Sequence, residues 1–407
     1  MTLPRTLLAC MLTLLATASV NGFDPLPKLD RVWQLVDDHF YDPQFHGVDW
    51  EACRQRHLGE IERCRDLQQC AAVINHMLDQ LETSHTRFYT REDPEFYFLV
   101  SLFRETYPAD QLAQLFPGGK VRYAGIGAFT REVDGAHYVT GVIPGYPAAE
   151  AGLRRGTRLW QVNDAPFHPI RSFADRIGET VTLRVQSTPQ PDDMHDLTLQ
   201  PVDIDPQQMM MDGLERSLKL IRSGERSMAY ARMWSYAGQV FHDRLCEALF
   251  RGKLKGADAL ILDLRDGWGG ARPEYVNLFN RQVPQLSYFD REGTTQITNQ
   301  EWRKPVALLI NNGTRSGKEL LAYAFRKHQL GPLVGERTAG AVTAGRFFLF
   351  DDGSGLYLAV RGVRADGEIL EGRGVAPTIA VPWPLPYGSE QDPQLNMALQ
   401  VLEKPVD

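Results

Sequence analysis

Residues 306–319 read Val-Ala-Leu-Leu-Ile-Asn-Asn-Gly-Thr-Arg-Ser-Gly-Lys-Glu. The five apolar residues predict a buried strand, and the polar, glycine-containing stretch after them predicts a turn. A helix is predicted to begin at Ser316, because Ser316 and Glu319 have the spacing of a capping box. This arrangement can hold a serine hydroxyl over a sheet end, with helix N–H groups available to an oxyanion. The alternative is a capping box that only starts a helix.

The chain on both sides of this stretch alternates apolar strands with amphipathic helices. Strands are predicted at Ser227 to Met233, Ala259 to Leu264, Val306 to Ile310 and Leu333 to Gly335, and helices at Val240 to Phe250 and Ser316 to His328. Residues 347–350 and 356–360 flank Asp-Asp-Gly-Ser-Gly, which is typical of a hairpin. The alternation predicts an α/β core over residues 204–385.

A second glycine-rich turn follows the strand of residues 259–264. Residues 260–270 read Leu-Ile-Leu-Asp-Leu-Arg-Asp-Gly-Trp-Gly-Gly, about 46 residues before Ser316. Glycines allow the backbone to approach a ligand closely and to present its N–H groups. The alternative is a plain tight turn. The pattern is not GxGxxG, so dinucleotide binding is not supported.

Two segments of different character precede the predicted core. Residues 23–118 form a helical segment, in which apolar residues recur at helical spacing from residue 24 to about 92. Residues 119–203 carry short alternating runs punctuated by Gly, Pro and Asp, which predict an inserted β-rich domain. With a C-terminal tail at 386–407, the fold class is predicted to be mixed α and β.

The first 22 residues have the pattern of a secretory signal peptide. Arg5 supplies the positive charge, Leu7 to Leu15 is a short apolar run, and small residues follow at Ala16, Ala18 and Gly22. We therefore expect export, to the periplasm first and otherwise to the cell surface or medium. Alternatives are an uncleaved N-terminal anchor and lipid attachment at Cys10. No later stretch is long and apolar enough to span a membrane.

Composition and charge indicate which classes of partner and cofactor to expect. The 407 residues carry a net charge of -7, 43% are hydrophobic, and no basic stripe is present, so nucleic acid is not expected as a partner. Cys53, Cys64 and Cys70 lie close together in sequence and Cys246 stands alone. Export makes a disulfide among the first three plausible, and the alternative is that they are small buried residues. No CxxC or HxxxH pair is present, so neither a metal nor a cofactor is predicted.

A nucleophilic serine needs a base, because the neutral hydroxyl is a weak nucleophile. Most of the ten histidines lie in polar or amphipathic surroundings. His85 differs, because it lies in the polar break Thr83-Ser-His-Thr86 just after a predicted helix and close to Phe88 and Tyr89. The alternative is a structural histidine.

Three motifs in a fixed order resemble the C-terminal processing (tail-specific) serine peptidase family. They are residues 263–270 (Asp-Leu-Arg-Asp-Gly-Trp-Gly-Gly), 313–319 (Gly-Thr-Arg-Ser-Gly-Lys-Glu) and 335–340 (Gly-Glu-Arg-Thr-Ala-Gly). Residues 124–129 and 144–153 look like that family's PDZ domain. The resemblance covers nearly all of the chain after residue 22, and it implies a serine peptidase that needs no cofactor.

One position distinguishes two branches of this family. The processing-peptidase branch uses a lysine base directly after the last glycine of the third motif, where this chain has Ala341. The tricorn-core branch uses a Ser-His pair upstream of the PDZ domain and a late Glu, to which Ser84-His85 and Glu371 are similar. The resemblance therefore implies a tetrad. Ser316 attacks and His85 takes its proton, while Ser84 and Glu371 orient and polarise the imidazole, as the acid does in serine triads.

Backbone groups complete the implied site. N–H groups of Gly269 or Gly270 and of Gly317 would hold the oxyanion. Two departures from the family pattern bear on this turn: Gly267 replaces an Asn, with bulky Trp268 beside it, and Gly317-Lys318 replaces two small residues. Trp268 is expected to crowd the oxyanion turn.

The PDZ-like segment has a peptide-binding mechanism of its own. Gly125, Ile126 and Gly127 would present N–H groups to a peptide carboxylate, and the adjoining strand would pair with the extended peptide. Substrates would then be recognised by their C-termini. The alternative is a spacer or gate without a ligand.

The predicted function is hydrolysis of peptide bonds in peptides or unfolded proteins by an exported serine endopeptidase. A rival from another class is a noncatalytic binder of peptides or apolar ligands, because the family fold also occurs in carriers of apolar molecules. A weaker rival is an esterase acting on small acyl substrates. The presence of all four candidate groups favours the peptidase.

Overall fold

The computed structural model describes residues 23–284, 286–298, 301–388 and 391–403. The predicted signal segment, residues 1–22, lies outside the described residues. The mixed α and β fold class is confirmed. Within the described ranges, no helix is long and apolar enough to cross a membrane.

The N-terminal part is mostly helical. Its elements are α1 (Leu26–His39), α2 (Trp50–Ile61), α3 (Leu67–Asp79), β1 (Arg87–Tyr89), α4 (Pro94–Leu102) and α5 (Ala109–Leu115). Asp49 and Asp66 start α2 and α3 by accepting hydrogen bonds from backbone N–H groups of the first turn. The expectation of helix up to residue 92 is wrong at β1. Three residues are too few to show a period, and β1 exists because it pairs with a distant strand.

The next part is a small antiparallel β structure. Its first and last strands pair with each other, so the chain enters and leaves it at the same place. Its elements are β2 (Tyr123–Gly125), β3 (Ala128–Val133), β4 (Ala136–Val142), α6 (Pro147–Glu150), β5 (Arg158–Val162), β6 (Ala165–Pro166), β7 (Val181–Gln186), β8 (Met194–Leu199) and β9 (Val202–Ile204). β2 pairs with β9, while the sheet runs in the order β3-β4-β5-β7-β8 with β6 beside β5. A core of its own includes Val139, Leu159, Leu183 and Val185.

The remaining elements alternate strands and helices, as predicted for the core. They are α7 (Pro206–Ser217), β10 (Lys219–Ser223), β11 (Arg226–Arg232), α8 (Gln239–Phe250), β12 (Ala259–Asp263), β13 (Leu286–Phe289), β14 (Thr295–Thr298), β15 (Val306–Ile310), α9 (Gly317–Lys327), β16 (Leu333–Gly335), β17 (Ala344–Leu349), β18 (Gly355–Arg361), β19 (Ile379–Ala380) and α10 (Pro393–Glu403). Short 3-10 turns occupy Phe45–Gly47, Arg104–Thr106, Pro117–Gly119, Pro191–Asp193 and Pro273–Phe279.

A six-stranded sheet forms the centre, in the order β10-β11-β12-β15-β16-β19. All its pairs are parallel except β10 with β11. Alternate residues of β12 and β15 face two cores, one shared with α7, α8 and α9 and the other with α10. Both faces are therefore buried, which explains the unbroken apolar runs. Because β12 and β15 are parallel neighbours, the turns after them lie at the same sheet edge.

A three-stranded sheet, in the order β1-β18-β17, joins the N-terminal helices to the hairpin of β17 and β18. Phe88 of β1 and Leu356 and Leu358 of β18 pack in one core with residues of α1, α2 and α3. The antiparallel hairpin predicted around residues 351–355 is therefore present. The pairing matters for the site, because it brings the residues before β1 close to the residues before β17.

Candidate active site

Ser316 lies at the turn between β15 and α9 in an unusual backbone conformation. Its φ is 56° and its ψ is -134°, whereas an ordinary N-cap residue has extended backbone. A non-glycine residue held there costs of the order of 1–3 kcal/mol and persists only when its surroundings enforce it. The Ser316 N–H donates to Ala341 O at 2.8 Å and to Glu319 Oε2 at 3.2 Å. A capping box alone does not require this strained backbone conformation at Ser316.

Glu319 stabilises this turn through hydrogen bonds to its buried carboxylate. Its fully buried carboxylate accepts hydrogen bonds from Gly340 N–H and Thr338 Oγ1 at 2.6 Å and from Ala341 N–H at 2.7 Å, besides Ser316 N–H. The sequence predicts only the bond to Ser316. The others join the first turn of α9 to the loop of residues 338–341, so one side chain connects two of the three motifs.

The glycine turn after β12 lies directly against Ser316. A Cβ placed on Gly269 would be 3.2 Å from Ser316 Oγ, and one on Gly317 would be 2.0 Å from Ala271 O. In the part of the chain that the structure describes, the Gly269 and Gly270 N–H groups have no hydrogen-bond acceptor. Gly317 is the first residue of α9, where N–H groups lack intrahelical acceptors. The structure thus brings the three predicted oxyanion glycines to the serine, and their role stays a prediction.

His85 is buried beside two hydroxyl groups. Its Nδ1 lies 3.0 Å from Ser84 Oγ and 3.0 Å from Thr343 Oγ1, and its ring packs edge-on against Tyr357. Burial lowers the pKa of His85 to about 3, and the positive charge of Arg315 adds to the shift. The imidazole is therefore neutral near pH 7. With Nδ1 occupied, Nε2 is the ring nitrogen left for proton transfer.

Glu371 contacts the segments around His85 through their backbone N–H groups. Its carboxylate accepts the backbone N–H of Ser84 at 2.8 Å, of Val342 at 2.8 Å and of Thr343 at 3.1 Å. The predicted role of Glu371 in orienting and polarising His85 stays a prediction, and the contact with Ser84 runs through its backbone N–H. Glu371 holds together the backbones of two segments, 84–85 and 342–343, whose hydroxyls contact the imidazole.

Thr343 is the site residue that sequence reasoning missed. It lies two residues after Ala341 and just before β17, and no local pattern distinguishes it. It reaches Nδ1 of His85 only because β17 and β1 flank β18 in one sheet. Its hydroxyl also donates to Ser84 O at 3.2 Å.

Comparison with known proteins now identifies the family. The model of peptidase family S41 matches residues 227–381, and the tricorn protease C1 domain matches residues 28–79. Together they match just over half of the chain.

The chain carries a peptidase family S41 domain at residues 227–381.

The chain is also similar to curated relatives, and it shares its fold with solved structures. The carboxyl-terminal-processing protease of Synechocystis sp. is 25% identical over 370 residues, covering 87% of this chain and 80% of that protein. The carboxy-terminal processing protease CtpA of Bacillus subtilis is 26% identical over 282 residues, 65% of this chain and 58% of that protein. The photosystem II D1 C-terminal processing protease has the same fold, with a TM-score of 0.55 at 21% identity, covering 94% of this chain and 98% of that one. The tricorn protease has a TM-score of 0.55 at 18% identity, and the match covers 93% of this chain and 36% of that one. This S41 chain is therefore a serine-type peptidase, whose substrates are peptides or proteins.

Ser316 and His85 of this S41 peptidase line one cleft. The cleft has a volume of about 650 Å³, within the range of binding pockets, and Ser84, Gly269 and Gly270 also line it. Its walls include aromatic and apolar side chains, namely Tyr89, Phe98, Leu102, Phe103, Met210, Phe241, Trp268 and Tyr357. Within the described ranges, no three His, Cys, Asp or Glu side chains lie close enough together to hold a metal ion.

The two departures from the S41 pattern have structural reasons. A Cβ on Gly267 would lie 2.0 Å from Trp234 O, and the neighbouring Trp268 N–H donates to that same oxygen at 2.6 Å. Gly267 is therefore required by the close backbone approach. The Trp268 ring lies 5.2 Å from the Phe98 ring and forms a cleft wall, so it shapes the cleft while the glycines after it still reach Ser316.

Lys318 is fully buried behind the nucleophile. Its Nζ donates to Asp266 O at 2.6 Å and to Met233 O at 3.1 Å, and burial lowers its pKa to about 7. These bonds connect the first turn of α9 to the glycine turn and to the end of β11. The lysine thus replaces a small residue without entering the cleft.

The predicted peptide-binding loop lies at the start of β3. Ile126 O and Gly127 O accept the N–H groups of Ala148 and Ile143, so the loop is fastened to α6 and the end of β4. A Cβ on Gly127 would be 2.3 Å from Tyr146 Cβ. β3 is an edge strand of its sheet. Phe129 of β3 stacks on Trp234 at 5.4 Å, which places this strand against the peptidase core.

The four described cysteines are free thiols. Cys53 and Cys70 are fully buried in the N-terminal core, and burial raises the pKa of the Cys70 thiol to about 12. This agrees with the alternative that these residues act as small buried side chains. None of the four forms the disulfide that export made plausible.

Proposed function

We propose that this S41 chain is an exported endopeptidase that cleaves peptide bonds through an acyl-enzyme on Ser316, with His85 as the general base. The observation that carries the proposal is the shared cleft. It is lined by a serine on a strained turn, a buried neutral histidine, and glycine backbone packed against the serine hydroxyl.

Each group has one task in the proposed reaction. His85 Nε2 takes the hydroxyl proton as Ser316 Oγ attacks the carbonyl carbon, and the oxyanion binds N–H groups of Gly269 or Gly270 and of Gly317. The imidazolium then gives its proton to the leaving amine, and the acyl-enzyme remains. Water attacks the ester by the same route in reverse, which releases the acid and restores Ser316.

Hydroxyl groups replace the carboxylate that contacts Nδ1 in serine triads. Ser84 Oγ and Thr343 Oγ1 can accept the Nδ1–H and so select the tautomer whose Nε2 is a base. Glu371 acts one step further away, because it holds the backbones of Ser84 and Thr343. In this proposal Ser84, Thr343 and Glu371 are positioning residues.

Labelling with a fluorophosphonate probe tests the nucleophile. The purified protein without residues 1–22 is expected to react at Ser316, and Ser316→Ala is expected to lose all labelling, because only an activated serine attacks the probe. Ser235→Ala is the matched control, since Ser235 lines the same cleft. A folded wild-type protein that stays unlabelled would contradict the proposal and favour a noncatalytic binder.

We also propose that residues 119–203 form a PDZ-like domain that binds the C-terminus of the substrate, using Gly125, Ile126 and Gly127. The position of β3 next to this loop, at the edge of its sheet among the described strands, supports the proposal, because an extended peptide can add to an edge strand. Fluorescence anisotropy with one labelled peptide as its C-terminal acid and as its amide tests it. Equal affinity for the two forms would refute carboxylate recognition.

Export to the periplasm is part of the proposal and is supported by the pattern of residues 1–22. Amino-terminal sequencing of the protein from the periplasmic fraction is expected to begin near Phe23. Recovery of the whole protein in the cytoplasm with Met1 retained would refute export.

A further inference from the structure

Arg315, the residue before the nucleophile, lines the active-site cleft without an acidic partner. Its guanidinium lies over the Trp268 ring, 5.9 Å from the centroid. Across residues 23–284, 286–298, 301–388 and 391–403, no carboxylate oxygen comes within 4 Å of it. Guanidinium groups bind carboxylates through two parallel N–H···O hydrogen bonds. An arginine in a cleft with no carboxylate close to it can therefore bind an anion.

A second unpaired arginine lines the same cleft. Arg87 lies over the Tyr89 ring at 5.9 Å and, like Arg315, has no carboxylate within 4 Å in the described part of the chain. The arginines behind the site are different. Arg155 and Arg232 face Asp266, and Arg265 binds Asp263 and Asp392. Arg87 and Arg315 are thus the arginines that line the cleft, and neither has a carboxylate within 4 Å in the described part of the chain.

In the part of the chain that the structure describes, acidic groups near the cleft act on these two cations only from beyond 4 Å, and Asp93 interacts electrostatically with Arg87 in this way. Asp79 is an exposed lining residue. Glu95 interacts with both arginines electrostatically, and burial raises the pKa of its carboxyl. Glu371 is occupied by three backbone N–H groups. A protein with a net charge of -7 therefore places two arginines in the cleft of its proposed nucleophile, neither of them in a direct ion pair within the described residues.

The charge of Arg315 also acts on the proposed base. Arg315 disfavours the protonated form of His85, which must appear during catalysis. A bound anion would offset this effect, because it cancels the positive charge felt by the imidazolium. Substrate binding would then assist proton transfer as well as fix the position of the peptide.

We propose that Arg315, together with Arg87, binds a carboxylate of the substrate next to the scissile bond. The carboxylate is either the free C-terminus of a peptide that is cut near its end or the side chain of Asp or Glu. The inference rests on the proposed peptidase function and adds a substrate class to it.

Matched peptide pairs test this binding. One quenched fluorescent peptide is made as its C-terminal acid and amide, and a second pair places Glu or Gln beside the scissile bond. In the wild type, kcat/KM is expected to favour the carboxylate in one pair by about 10- to 100-fold, the range of a charged hydrogen bond. The pair that shows the preference identifies the source of the carboxylate.

Variants assign the preference to Arg315. Arg315→Gln is expected to reduce it to about threefold or less, while the matched control Arg326→Gln, on the exposed face of α9, retains it. For an uncharged peptide, the acid limb of kcat/KM is expected to move to higher pH in Arg315→Gln, since loss of the cation raises the pKa of His85.

Three results overturn the inference. Equal kcat/KM within both pairs in the wild type does so whatever the variants show, and so does a preference that Arg315→Gln leaves undiminished. An acid limb that does not move in that variant refutes the coupling to His85. Absence of cleavage of every peptide, together with absence of probe labelling, is a different outcome and counts against the proposed peptidase function itself.

Discussion

His85→Ala is expected to lower kcat for peptide hydrolysis by about 10³- to 10⁶-fold, the loss seen when the base of a serine nucleophile is removed. The reason is that Ser316 then has no group to take its proton. His85 is buried, but it packs mainly against hydroxyls and Tyr357, so the folded state should survive its truncation. Steady-state kinetics with a peptide substrate measure the effect, and circular dichroism checks the fold.

The matched control is His328→Ala, which removes an exposed histidine at the end of α9 and should leave kcat within twofold. The pH profile is an independent check. Because His85 is held neutral, the acid limb of kcat/KM should have its midpoint well below pH 6.5, and activity should persist at pH 5. Near-normal activity of His85→Ala would refute the tricorn-like assignment.

Glu319→Ala is expected to lower the free energy of unfolding by about 3–5 kcal/mol, the cost of removing one partner from a buried charged contact. The truncation leaves three donors without their acceptor, from Thr338, Gly340 and Ala341, while Ser316 N–H keeps only its bond to Ala341 O. Urea denaturation measures the loss. Probe labelling at Ser316 should also fall, because the strained turn loses its support.

Glu247→Ala provides the control for Glu319→Ala. Glu247 is on α8 and pairs with Arg244 at the surface, so its loss should change stability by about 0.5 kcal/mol or less. A cost below about 1 kcal/mol for Glu319→Ala would show that the backbone alone holds the turn.

Much of the architecture around the site could be predicted from local sequence. The apolar runs at β12 and β15, each followed by a glycine-containing turn, are present as predicted, and so is the helix after Ser316. Strands buried on both faces need continuous apolar residues, and glycines mark turns, so both leave a pattern within ten residues.

Other features depend on pairing between distant segments. β1 has only three residues and exists through its register with β18, some 270 positions later. Contacts of this kind leave no period in the sequence, which explains why the expectation of continuous helix was wrong there. The sequence also does not show that Arg315 has no carboxylate within 4 Å in the described part of the chain, because this depends on the position of every acidic side chain in the fold.

Local sequence is enough to predict the class of the fold, the turn that presents Ser316 and the glycine turn after β12, because apolar periodicity and glycine act locally. The tertiary structure alone decided the surroundings of His85. Thr343 meets its Nδ1, and Glu371 binds backbone rather than the Ser84 hydroxyl, because two sheets bring residues 84–85, 342–343 and 371 together. Hydrogen-bond partners across such distances are selected by packing, and packing is a property of the whole folded chain.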